Sequence, residues 1–213
     1  MALTDITAFL CDILGTAAFA ISGAMVACHK RADLFGILFL GVMTALGGGL
    51  LRDVILGLNP PSLFSNRLDV SLALVMGLLV FFLARYHQRY WLQQEERVER
   101  LNNVVDALGL GFFAVTGCLV TMEAGYGDHW FLTIMMGMTT AVGGGLLRDL
   151  MLREIPFIFR KHIYAVAALA GAVSFYGLHR LGLGQSAAMV ISVSTTFALR
   201  LLATHFRWNL PRP

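Results

Sequence analysis

The sequence predicts an all-α integral membrane protein: seven transmembrane helices, laid out as two inverted three-helix repeats followed by a seventh helix. Three observations carry that fold class. The composition is 57% apolar and only 14% charged, with a mean hydropathy of +0.72. A ten-residue motif recurs 96 residues downstream of its first copy. Lysine and arginine are spread very unevenly between alternate loops.

A soluble domain carries roughly 45–50% apolar and about 25% charged residues, so this chain has too few charges to coat a water-facing surface. Disorder is excluded by the same hydropathy. At about 20 residues per span, 213 residues accommodate seven spans with short loops. A net charge of +3 with a pI near 9.0 could suggest a nucleic-acid partner. Basic residues in a polytopic chain instead collect in cytoplasmic loops, so lipid is the expected partner. Cys11, Cys28 and Cys118 sit inside apolar runs and have no metal-ligand spacing, which makes them packing residues. No Lys or Arg precedes Lys30, so the first apolar run lacks a secretory basic flank and is expected to stay as a helix, although Ala18-Phe19-Ala20 resembles a cleavage site.

Apolar runs between polar punctuation place the helices at 4–28, 33–58, 68–88, 101–122, 129–153, 162–179 and 185–206. Asn59-Pro60-Pro61 stops the second and Ile155-Pro156 the fifth. The stretch from Arg85 to Arg100 is the most polar in the chain and separates the halves. One face, holding the N-terminus, carries only Arg67 and Arg180 in its loops; the other carries eleven of the sixteen Lys and Arg, and Arg52, Arg148 and Arg200 lie within helices. The positive-inside bias therefore puts the N-terminus outside and the C-terminus in the cytoplasm of an inner-membrane protein.

The repeat runs from Thr44-Ala45-Leu46-Gly47-Gly48-Gly49-Leu50-Leu51-Arg52-Asp53 to Thr140-Ala141-Val142-Gly143-Gly144-Gly145-Leu146-Leu147-Arg148-Asp149. Gly41 and Pro60 keep the 96-residue offset with Gly137 and Pro156, while Asp12, Gly15, Phe19, Ala20 and Gly23 match Asp106, Gly109, Phe113, Ala114 and Gly117 at 94. Three helices per period invert the second copy relative to the first, an arrangement used by transporters and channels. The expected divisions are 1–94, 95–182 and 183–213, with the unpaired seventh helix packed outside the pair.

Three successive glycines strip the side chains from one helical turn. Close helix packing would explain one of them. Three, duplicated and each followed by Arg-Asp, lead us to expect a helix break in helices two and five. Freed carbonyls, with the hydroxyls of Thr44 and Thr140, can replace part of a cation's hydration shell, and freed amides favour an anion. No Gly-Lys-Ser/Thr ending or preceding strand supports a nucleotide loop. Buried charges in lipid must pair or face water. Asp12 with Arg52-Asp53 is expected at the outer end, Asp106 with Arg148-Asp149 at the inner end, each cluster formally −1 and attractive to cations. A structural clamp and a permeation role both remain open for them, as does pairing across the repeats.

The histidines at 29, 87, 129, 162, 179 and 205 read as interfacial, and Trp91, Trp130, Trp208, Tyr90, Tyr126 and Tyr164 as an aromatic belt. Ser192, Ser194, Thr195 and Thr196 are expected to back-bond or pack. There is no metal motif and no nucleophile–base pairing, so neither an enzyme nor a bound cofactor is expected.

The doubled Thr-Ala-x-Gly-Gly-Gly-x-x-Arg-Asp motif with a seventh helix resembles the prokaryotic members of the trimeric intracellular cation (TRIC) channel family, whose bacterial sequences are also grouped as glycine transporters. The resemblance covers about Asp12 to Pro156 in detail and the seven-helix layout overall. It implies a homotrimer with one pore per subunit, lined by helices two and five bent at Gly47, Gly48, Gly49, Gly143, Gly144 and Gly145, with Arg52-Asp53 and Arg148-Asp149 beside them, conducting potassium and sodium. It implies no metal beyond transient monovalent cations. The alternative reading is a secondary transporter of glycine or another small zwitterion. The basic residues that bind phosphoinositide in animal members have no recognisable match.

Overall fold

In lipid every backbone N–H and C=O must be satisfied within the protein, and an α-helix does this inside a single segment. The computed structural model describes residues 3–87, 94–160 and 163–208, and it folds each apolar run as helix. The order is α1 (Leu3–His29), α2 (Leu34–Leu56), a short α3 (Ser62–Ser65), α4 (Arg67–Tyr86), α5 (Glu95–Thr121), α6 (Trp130–Met151), a short α7 (Phe157–Arg160), α8 (Tyr164–Arg180) and α9 (Gln185–His205). Among the described residues no strand forms. Among the described residues six helices are long and apolar enough to cross a membrane; α8, with 17 residues, sits at the lower end of the usual span of roughly 17–25.

The boundaries follow local chemistry. Asp33 caps α2, its Oδ1 accepting from the Gly36 amide at 2.8 Å. The prolines stop neither α2 nor α6 directly. α2 ends earlier at Gly57, whose φ of 69° lets Leu58 N–H reach Asp53 O at 2.9 Å. Arg153, at φ 56°, repeats this closure for α6, with Glu154 N–H on Asp149 O at 2.9 Å. α5 begins six residues before the expected start at 101. Its first turns are polar, with Glu96 and Arg100 paired at 2.9 Å one turn apart, so hydropathy alone does not register them as helix. At the other end α5 continues into a single π turn, Met122–Tyr126.

α1, α2, α5 and α6 form the centre, with α4 covering α1 and α2, and α8 covering α5 and α6. α9 packs mainly on α8 and α5, outside the pair, as expected. Contacts at the centre come in exchanged pairs. Phe19 lies over Gly109 and Phe113 over Gly15, with the rings 5.3 Å apart. Thr44 fills the space over Gly23, and Thr140 the space over Gly117. Outward faces remain apolar, with Phe9, Phe39, Leu79, Phe82, Val173 and Ile191 all exposed, as a lipid-facing surface requires.

The glycine triplets correct one expectation. α2 and α6 run through them as uninterrupted α-helix, so Gly47–Gly49 and Gly143–Gly145 free no carbonyls or amides. The reason is that each glycine meets a different neighbour. Leu147 packs over Gly47 and Leu51 over Gly143. Gly48 lies directly against the Thr140 carbonyl and Gly144 against the Thr44 carbonyl, backbone to backbone. Cβ atoms on Gly49 and Gly145 would stand 3.6 Å from the Arg52 and Arg148 guanidinium groups. Close approach therefore uses the first two positions of each triplet, while a Cβ at the third would meet its guanidinium at ordinary contact distance.

A methyl group at the crossing has only main chain to displace. Gly48→Ala or Gly144→Ala should lower stability by about 1–3 kcal/mol, the usual penalty of overpacking. Gly177→Ala, where a Cβ meets open space, should be neutral or stabilising by up to about 1 kcal/mol. Thermal unfolding of the purified protein in detergent checks the contrast.

Candidate functional site

Two polar clusters flank the α2–α6 crossing, one toward each end of the bundle. At the end where α1 starts, Arg52 on α2 turns Nε and Nη2 back onto Asp53 Oδ1 at 2.8 and 2.6 Å. The other Asp53 oxygen accepts from the Ser62 amide at 2.7 Å and the Ser62 hydroxyl at 2.6 Å, which ties α3 down across the helix end. Asp12 of α1 lies near Arg52 and beside Asp69 of α4. These groups line a cavity of about 400 Å³ that also takes in Asn66, Thr116 and Glu123.

At the other end the same core recurs. Arg148 Nε donates to Asp149 Oδ1 at 2.8 Å, and Asp149 Oδ2 accepts from the Phe157 amide at 2.9 Å. Arg148 Nη1 reaches Asp106 Oδ1 at 3.3 Å and Ser22 Oγ at 3.2 Å, while Ser22 Oγ donates to Asp106 Oδ1 at 3.1 Å. Arg148 is fully buried, its guanidinium 5.2 Å from the Phe157 ring centre. Tyr164 lies beside Asp106, and Arg200 of α9 stands 4.9 Å over the Tyr164 ring. Nearer the surface a cavity of about 200 Å³ opens among His29, Lys30, Glu95, Glu99, Asn102 and Glu154. It is bridged by His29 to Glu95 at 3.2 Å and by a Lys30–Glu154 ion pair.

Both expected groupings are therefore present: Asp12 with Arg52-Asp53, and Asp106 with Arg148-Asp149. Pairing across the repeats occurs through Ser22, a first-repeat residue inside the second cluster. Thr44 and Thr140 do not present hydroxyls to a cavity. They are buried at the crossing and donate to Leu40 O and Met136 O at 2.6 and 2.7 Å.

Three participants were missed. Asp69 adds a third carboxylate to the first cluster, so its formal charge with every group ionised is −2 rather than the expected −1. Arg200 adds a second guanidinium to the other cluster and brings it to zero. Tyr164 is buried in that cluster rather than standing in the aromatic belt. The signal was present in the repeat: Asp69 and Tyr164 are 95 residues apart and both lie in the first turn of the helix covering their half. Trp130 and Trp208 are exposed near helix ends, as a belt requires; Tyr90, Trp91 and His162 lie outside the described residues. Thr195 and Thr196 back-bond to Ile191 O and Ser192 O. The three cysteines are free thiols.

A sequence family described as "Glycine transporter" matches twice, over residues 9–85 and 103–180, once in each three-helix half. The UPF0126 inner membrane protein YadS of Escherichia coli K12 is 37% identical over 205 residues, covering 95% of this chain and 93% of its own. Among solved structures, the TRIC trimeric intracellular cation channel orthologue from Rhodobacter sphaeroides superposes with a TM-score of 0.83 at 34% identity, over 94% of this chain and 98% of that one. A prokaryotic TRIC channel solved in 0.5 M KCl gives 0.84 at 28% identity, over 96% and 99%. With a doubled motif, a matching bundle and relatives of nearly its full length, this chain is a membrane protein of the TRIC channel family, the family also described as glycine transporter.

Proposed function

We propose that the protein is a cation channel for potassium and sodium, with one permeation path in each subunit of a homotrimer. The observation that carries this reading is the pair of charged clusters at opposite ends of one bundle, joined by α2 and α6, with the glycine crossing between them. A cluster with excess carboxylate concentrates cations at its mouth. The crossing itself holds no side chain on Gly48 or Gly144, so a small separation of two helices exposes main-chain carbonyls, those of Thr44 and Thr140, to a passing ion. The channel and trimer named for the Rhodobacter relative support the reading. On it, residues 1–94 and 95–182 are the inverted halves and 183–213 the appended helix. The Lys and Arg census then orients the chain in the inner membrane, with the Leu3 end outside and the C-terminus in the cytoplasm.

The charged residues divide by role. Asp53 and Asp149 each spend both oxygens on their neighbouring arginine and on the following segment, the work of a clamp. Asp12, partly exposed in the cavity of about 400 Å³, is the group placed to meet a cation. A second reading, transport of glycine or a similar zwitterion, is favoured by the family description and by the presence of both charge signs in each cluster.

Planar bilayer recording separates the two. Unitary potassium currents without any added solute are expected; saturable glycine uptake in vesicles with no such currents would overturn the channel. Asp12→Asn should weaken selectivity for potassium over chloride in a protein that still folds, and unchanged selectivity would remove Asp12 from the path. Asp53→Ala should destabilise the fold by about 3–5 kcal/mol, since it removes the hydrogen-bonded partner of a buried arginine, and Asp149→Ala by less, since Arg148 keeps Asp106; thermal unfolding reads both losses.

A further inference from the structure

The two ends are built to one plan and differ at one telling position. Asp12 and Asp106 are equivalents, and beside each stands the equivalent first-turn residue of the covering helix: Asp69 on α4, Tyr164 on α8. Tyr164 always carries a phenolic hydrogen. Its Oη and Asp106 Oδ2 are both buried, and neither makes a hydrogen bond among the described residues. Tyr164 can thus give that hydrogen to Asp106 at any physiological pH.

Asp69 has no hydrogen to give once ionised. Its side chain is only 7% exposed; Oδ2 accepts from Asn66 Nδ2 at 2.5 Å, and Oδ1 is buried with no donor among the described residues. Arg52 does not fill that gap, because it turns Nε and Nη2 onto Asp53. Two carboxylates side by side repel when both are ionised and attract when they hold one proton between them. Arg52 and Asp53 on α2, Glu123 beyond α5 and the Cys11 thiol on α1 are the other charged or titratable groups around the pair.

We infer that Asp12 and Asp69 form a proton-binding site, in which one proton held between the two carboxyls does for the first repeat what the Tyr164 hydroxyl does for the second. With the proton bound, the cluster carries −1; as pH rises the proton leaves to water, the charge becomes −2, and the carboxylates separate into the cavity. The effect on flux rests on the channel reading above, and the proton site itself does not. Cation entry from this end should rise as the pH on that side rises.

Infrared difference spectroscopy of the full-length protein in lipid vesicles tests the site directly. Titration from acid to alkaline pH should reveal a protonated-carboxyl C=O band that disappears as pH rises, and Asp12→Asn and Asp69→Asn should each abolish or shift it. No such band in the wild type, or a band unchanged in either variant, overturns the proposal. Should Asp69→Asn fail to reach the membrane, Asp69→Tyr, which copies the second repeat, must remove the band in its place. Potassium flux through wild type should depend on pH at the cavity side and lose that dependence in the Asp69 variant. A wild type without flux counts against the channel, and the infrared result still decides the site.

Discussion

Two helices touch along their main chains, and the rest of the molecule is arranged around that contact. Gly48 against the Thr140 carbonyl and Gly144 against the Thr44 carbonyl bring α2 and α6 closer than any side chain permits. Lipid offers no hydrophobic drive between helices, so such fit supplies much of the cohesion. The remaining partners in each triplet then take their places. Leucines from the opposite helix fill the first glycine position, and a guanidinium lies beside the third. Moving the crossing would therefore disturb packing and charge together.

The clusters turn that geometry into chemistry. An arginine buried in a bilayer is tolerated when its donors are spent and its charge is matched. Arg148 matches its charge with Asp149 and Asp106 and places Nε and Nη1 on Asp149, Asp106 and Ser22, with the face of Phe157 beside the guanidinium, while Nη2 is buried with no hydrogen bond among the described residues. Arg52 places Nε and Nη2 on Asp53, with Asp12 nearby, and Asp12 in turn stands beside Asp69. The first cluster is the more acidic; in the second, Tyr164 and Arg200 are both buried, with the guanidinium over the ring.

Most of the fold was legible because its signals are long-range in sequence and redundant. Apolar runs located all seven long helices, with ends displaced by a few residues where the stop came from an αL cap rather than from proline, as at Gly57 and Arg153. Depth along the helices grouped Asp12 with Arg52-Asp53, and inversion of the repeat grouped Asp106 with Arg148-Asp149. The glycines were misread because low helix propensity is a property of isolated segments, and tertiary contact outweighs it here. Asp69, Tyr164 and Arg200 escaped notice because each reaches its cluster through the rotation of a covering helix. Apolar periodicity is weak on helices that are lipid-exposed on one side, so it does not report that rotation.

α9 belongs to one half only. It covers α8 and α5, and it delivers Arg200 to the Tyr164 ring, for which α1, α2 and α4 have no equivalent. Half a turn about the bundle's internal axis therefore does not restore the molecule. A body made of two like halves has thus been given a front and a back, and whatever approaches it meets a different face from either side of the bilayer.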